Sequence, residues 1–139
     1  MVHCLFVGGF KEKRLEQLAA ELQKRLNRLW PVSVTSILEK PPDILKTLQL
    51  KAKKGLLVSL DAHGESLDSA RFIQWVTQSS RDIYFFAWGA DGPPKEASSF
   101  KMKSISLSPM TYSHELARVL LLEQLYRAGA TLKGHPYPR

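Results

Sequence analysis

The sequence predicts an α/β fold, a mainly parallel sheet with helices on both faces, and two observations carry this reading. Short apolar runs alternate with stretches of helical periodicity, the order that builds a parallel sheet. The runs Leu56–Leu60 and Ile83–Ala87 are also apolar without polar alternation, as central strands covered on both faces must be.

Val2–Gly8 reads as the first strand. Leu15, Leu18, Leu22, Leu26 and Leu29 then recur at helical spacing, forming an apolar stripe that ends near Trp30–Pro31. Val32–Leu38 is the second strand. Pro41 and Pro42 break the chain, Asp43 caps, and Ile44, Leu45, Leu48 and Leu50 mark a second helix. Leu56–Leu60 is the third strand, Ser66–Ser79 a helix, Ile83–Ala87 the fourth strand, Glu96–Phe100 at most a short helix, and Met102–Ser106 the last strand. Ser113 is placed to cap a final helix from His114 to about Leu132, with Glu115 in its positive first turn. Along that helix Leu116, Val119, Leu120, Leu121, Leu122, Leu125 and Tyr126 cover more than one stripe, so it needs covering on two sides. The sheet is one cover; a second subunit, meeting Leu120–Tyr126, is the expected other. Gly134 and Pro136 stop the helix and leave His135, Tyr137 and Arg139 on a free end.

A length of 139 residues suits one domain spanning 1–139, and no repeat or linker divides it. No run approaches the roughly 20 apolar residues of a membrane span. The N-terminus lacks a signal peptide's charged start and cleavage site, so a cytoplasmic protein with no membrane partner is expected. Cys4 is the only cysteine and sits in an apolar strand, which excludes an intrachain disulfide and favours a buried structural thiol. No group of side chains has metal-ligand spacing, and no metal is expected. The net charge of +7 is concentrated early: Met1–Lys54 holds 11 Lys and Arg against 5 Asp and Glu, whereas Gly55–Arg139 holds 9 against 8. Such a surplus attracts polyanions through phosphate contacts, or simply solvates the first two helices.

Ligands of open α/β sheets sit beyond the carboxyl ends of the strands. Three loops leave such ends here, beginning at Leu60–Asp61, Trp88–Gly92 and Leu107–Tyr112. Singly they are unremarkable. Gly89 and Gly92 read as turn glycines, Asp61 and Asp91 as helix caps, His3 and His63 lack partners at ligand spacing, and Glu123 with Arg127 is an ordinary pair four residues apart.

Three blocks change their weight: VSLDAHGESLDSARF from Val58, WGADG from Trp88, and the terminal SLSPMTYSHELARVLLLEQLYRAGATLKGHPYPR from Ser106. In these the chain resembles, over nearly its full length, the ribosomal RNA large subunit methyltransferase H family, small members of the knotted SPOUT methyltransferases. The resemblance implies the SPOUT α/β-knot, with a C-terminal trefoil knot. It also implies S-adenosyl-L-methionine as cofactor, held by Leu60, Trp88, Gly89, Leu107, Ser108, Pro109, Met110, Thr111 and Tyr112, chiefly through backbone groups. The implied reaction is methylation of N3 of a pseudouridine in large-subunit (23S) ribosomal RNA on the assembled ribosome, by a homodimer that shares groups between subunits.

That nitrogen carries a proton in the ground state, so the enzyme must help remove it and align the ring with the methyl donor. By resemblance Tyr137 and Arg139 meet the target base and its developing charge, with His135, His114 and Arg118 as supporting or proton-handling groups. An arginine cannot accept the proton, which leaves His114, His135 or water as the base. The chain departs from the family pattern at Trp88, where the family has a glycine, at Pro93–Pro94, and at Pro138, where the family commonly has histidine. A tryptophan filling the adenosine site would favour a second reading, a ribosome-binding protein without catalysis.

Overall fold

The computed structural model describes residues 1–137. Five strands, β1 (Val2–Val7), β2 (Val32–Ile37), β3 (Gly55–Ser66), β4 (Asp82–Ala87) and β5 (Lys103–Ser106), form one sheet in the order β2-β1-β4-β3-β5. Every pairing in it is parallel. Four helices accompany it: α1 (Lys13–Leu29), α2 (Pro41–Ala52), α3 (Ser69–Gln78) and α4 (His114–Leu132), with a 3-10 turn at Lys95–Ser99.

Side chains alternate across a strand, so a run apolar at every position serves two cores. Cys4, Phe6, Val58, Phe85 and Ala87 pack with α1, α3 and α4 on one face. Leu5, Val7, Leu57, Tyr84, Phe86 and Trp88 pack with Ile44 and Leu48 of α2 and with Ala97 on the other. Burial pushes the Cys4 thiol pKa well above its ordinary value, which suits an inert structural role.

The structure differs from the sequence reading in several places. Ala19, Leu22 and Leu26 are the buried residues of α1, and Leu18 is 44% exposed, because the stripe turns through Ala19 instead. Leu50, one of the apolar residues that mark the second helix, lies in α2 but is 51% exposed. Pro41 and Pro42 do not precede α2 but open it, with Lys40 rather than Asp43 at the cap. Proline is tolerated there because the first-turn N–H groups have no helical partner. β3 runs six positions past its apolar segment, to Ser66, and α3 starts at Ser69 with Asp68 accepting from the Arg71 N–H at 2.8 Å. The extension is possible because Leu60 and Glu65 both pair with Ile105, leaving Asp61–Gly64 to bulge outward. Gly64 is required at that fold: a Cβ there would fall 2.7 Å from the Ile105 backbone nitrogen.

Helix α4 explains its own composition. Ser113 accepts from the Leu116 N–H at 3.2 Å, and Gly134, at φ +64, follows the end of the helix. The second cover expected from another subunit comes in large part from the chain itself, since α4 packs against both α1 and α3 as well as the sheet. Leu121, Leu122 and Leu125 are fully buried in that core. Leu116, Leu120 and Tyr126 remain half-buried.

Candidate active site

The three loops predicted from strand ends meet above the carboxyl edge of β3, β4 and β5 and enclose a cavity of about 520 Å³. Each loop is shaped by local chemistry. After β4 the Gly92 N–H donates to the Gly89 carbonyl at 3.0 Å, and Gly92 takes φ +71, so the chain reverses at once. At Gly89 the Glu39 carboxylate sits in the space a Cβ would fill, so a side chain there would displace that exposed carboxylate. After β5 the Ser106 hydroxyl donates to the Ser108 carbonyl at 2.6 Å and the Ser108 hydroxyl accepts from the Met110 N–H at 3.0 Å. These bonds commit the loop's hydroxyls to turns, where short polar side chains compete with regular structure.

Trp88 lies on the α2 side of the sheet. Its indole Nε1 donates to the Ser59 hydroxyl at 2.7 Å, its ring stacks on Phe86 with centroids 5.5 Å apart, and it is 7% exposed. It borders the cavity, which remains open beside it. An open space of this size, walled mainly by apolar groups and loop backbone, fits a nucleoside-sized cofactor.

Of the residues predicted for the cofactor, Leu60, Trp88, Gly89, Leu107, Ser108, Met110 and Tyr112 border the cavity; Pro109 and Thr111 sit in the same loop, outside its lining. His114 borders it too, with Nε2 3.9 Å from Glu115 Oε2. The other predicted catalytic groups are elsewhere. Arg118 is 1% exposed and donates to the carbonyls of Val7 at 2.6 Å and of Gly8 and Gly9 at 3.2 Å, between the rings of Phe6 and Phe10. Burial lowers its pKa, opposed by the charges of Glu115 and Glu39. Glu115 accepts from the backbone N–H groups of Glu12 and Lys11, both at 3.0 Å, and these bonds hold its carboxyl below the usual carboxylate range. Arg118 and Glu115 thus tie α4 to the chain leaving β1. His135 is exposed, and its N–H donates to the Ala130 carbonyl. Tyr137 lies against α4, its hydroxyl 3.2 Å from Glu123 Oε1. Arg139 lies outside the described residues.

Sequence reasoning missed Ala62, Ala87, Ala90 and Ala117 in the cavity wall, small residues that leave no chemical signature. It also missed Glu39, whose position against Gly89 depends on how β1 brings β2 and β4 together. Among the described residues no group of three or more His, Cys, Asp or Glu side chains is placed to hold a metal ion, and no helix is long and apolar enough to cross a membrane.

The chain matches the family profile described as "Predicted SPOUT methyltransferase" over residues 1–138. It is 31% identical over 140 residues to a ribosomal RNA large subunit methyltransferase H from Coprothermobacter proteolyticus, covering 98% of this chain and 97% of that protein. A protein of the same name from Rhodopseudomonas palustris is 46% identical over a shorter stretch of 90 residues, 62% of this chain and 56% of its relative. Among solved structures, a putative RNA methyltransferase from Bacillus anthracis superposes with a TM-score of 0.60 at 14% identity, covering all of both chains. A putative methyltransferase from Legionella pneumophila, solved with bound cofactor SAM, superposes with a TM-score of 0.52 at 14% identity over 91% of this chain and 66% of its own. With a parallel sheet of this order, a cavity at its carboxyl edge and near full-length relatives, the chain belongs to the SPOUT methyltransferases and, within them, to the ribosomal RNA large subunit methyltransferase H family.

Proposed function

We propose that this protein methylates N3 of a pseudouridine in 23S ribosomal RNA on the assembled ribosome, using S-adenosyl-L-methionine held in the cavity at the carboxyl edge of the sheet. The observation that carries the proposal is that cavity, open beside the packed Trp88 and bordered by His114. The backbone at Trp88–Gly89 and Leu107–Tyr112 holds the cofactor, and Leu60 packs on it. The bound cofactor supplies an electrophilic methyl group. This chain's residues bring the target ring to it and take the N3 proton, with His114 the titratable group best placed to receive that proton directly or through water. Arg118 acts from beneath, by fixing the start of α4 and hence His114, rather than by touching substrate.

The rest of the reading follows from the tail. His114 and Glu123 are nine residues apart on α4, about 13 Å along the axis, so Tyr137 at Glu123 is remote from its own cavity. Tyr137, His135 and Arg139 therefore serve the cavity of a second copy in a homodimer built over the outer surface of α4. The single domain 1–139 carries the C-terminal trefoil knot that its family membership implies, and it works in the cytoplasm where ribosomes are. The orientation of Trp88 favours this reading over a ribosome-binding protein without catalysis.

Calorimetric titration with S-adenosyl-L-methionine, followed by transfer of labelled methyl groups to ribosomes and nucleoside mass spectrometry, tests the proposal. Micromolar binding with 3-methylpseudouridine as product is expected; no binding, or label on another atom, overturns it. Light scattering at micromolar concentration tests the dimer, and a monomeric mass rejects it.

A further inference from the structure

We propose that Glu123 and Arg127 form a clasp that positions the catalytic tail by holding Tyr137 on the outer surface of α4. The inference rests on the methyltransferase reading and adds two positioning residues to it. Glu123 and Arg127 are one helical turn apart, and the Arg127 Nε donates to both Glu123 oxygens at 2.8 and 3.1 Å. Such a pair is usually worth little on a helix surface, and by itself would be a solvated ornament. Here it is assembled into something larger. The Tyr137 hydroxyl donates to Glu123 Oε1 at 3.2 Å, the Arg127 guanidinium lies over the Tyr137 ring at 4.8 Å, and Tyr126 meets that ring edge-on at 4.7 Å. Gln124 supplies a further N–H to Glu123 at 3.0 Å. One carboxylate oxygen, a cation and an aromatic wall thus hold one phenol, while the second oxygen is kept in place by Arg127 and Gln124.

The clasp solves a physical problem that the sequence poses. Residues 135–137 lie beyond the helix, and non-helical segments keep one position only where something ties them down. Among the described residues the turn is held by the Lys133 N–H to Gly129, the Gly134 N–H to Thr131 and the His135 N–H to Ala130. Tyr137 adds an anchor three residues later, and a group delivered from an anchored tail reaches its target with much less orientational freedom to lose. Burial, followed by the Glu123 charge, raises the Tyr137 pKa, so the phenol stays protonated and donating.

The test uses the full chain as Glu123→Ala, Glu123→Gln and Tyr137→Phe, with backbone 15N relaxation of residues 131–137 read beside methyl transfer to ribosomes. Glu123→Ala and Tyr137→Phe should loosen the tail and lower kcat by about tenfold or more, the scale of a misplaced catalytic group, with S-adenosyl-L-methionine affinity unchanged. Glu123→Gln still accepts the phenol's hydrogen bond and should restore most of the order and most of kcat, which a role in charge alone would not allow. Unchanged kcat or unchanged tail order in Glu123→Ala, beside an active unaltered protein, overturns the clasp alone. No methyl transfer by the unaltered protein overturns the functional reading and the clasp together.

Discussion

The two ends of the sheet handle polar groups in opposite ways. At the amino edge Met1, His3, Ser33 and Asp82 crowd together with Tyr84 and Lys51. The terminal amine donates to Asp82 Oδ1 at 2.9 Å, His3 Nδ1 lies 2.6 Å from the Ser33 hydroxyl, its Nε2 is 3.5 Å from Asp82 Oδ2, and its ring stacks on Tyr84 at 4.5 Å with Lys51 on the same ring. A serine, a histidine and an aspartate in contact look like chemistry, yet the contacts these groups make here are with one another. At the carboxyl edge the titratable groups are few, the hydroxyls are spent on turns, and the space is left open. The lesson is that a site is recognised by unfilled volume beside available backbone, and that density of reactive side chains is a poorer guide.

Several measurements sharpen or break that contrast. The largest effect is expected at Trp88. Trp88→Gly removes a packed ring and its bond to Ser59, and should cost about 3–5 kcal/mol, read as a shift in the denaturation midpoint. Cofactor affinity should change by less than about threefold, since about 0.6 kcal/mol corresponds to that factor and the ring packs on Phe86. A large gain in affinity would place the indole inside the cofactor's space and revive the non-catalytic reading.

Arg118→Ala comes next. It strips three carbonyls of their donor, the one at Val7 buried and those at Gly8 and Gly9 partly so, and leaves Glu115 without its nearby cation, so a loss of about 2–3 kcal/mol is expected. Because α4 then shifts at its start, kcat should fall along with stability; full activity at a temperature where the variant is folded would sever Arg118 from the site.

Acid should act on both ends together. Glu115 is held below its ordinary pKa by backbone N–H groups, Asp82 by the terminal amine, and Glu12 at about 2 by its bonds to Arg14. A carboxyl depressed by folding contributes stability above its unfolded pKa and loses it as pH falls through the folded value. Urea midpoints should therefore be flat above about pH 5 and decline below about pH 4. Glu115→Gln should weaken that decline, and an identical acid limb would show that Glu115 does not contribute to it.

The smallest effect is expected at the amino edge. Asp82 is exposed enough for solvent to screen its pairs, so Asp82→Asn should barely move the denaturation midpoint and leave methyl transfer unchanged. A loss of activity there would break the contrast between the two edges.

The sequence determined by itself the order of strands and helices and the loops that leave carboxyl ends. These depend on local periodicity, on Ser113 as a cap and on Gly134 as a stop, all of which are written in neighbouring residues. It also marked β3 and β4 as covered on both faces, because their apolar runs leave little place for water, but it did not single out β1, which is equally interior. Helix ends were less legible: Pro41 reads as a break in isolation and as a first turn once α2 packs, since both place proline where an N–H is not needed. Only the tertiary structure decided what lies against what. It turned Trp88 toward Ser59, buried Arg118 under the carbonyls after β1, set Glu39 against Gly89, and folded Tyr137 onto Glu123. Each of these joins residues 14 or more positions apart, and their meeting depends on strand order and helix packing, long-range quantities that no local pattern encodes.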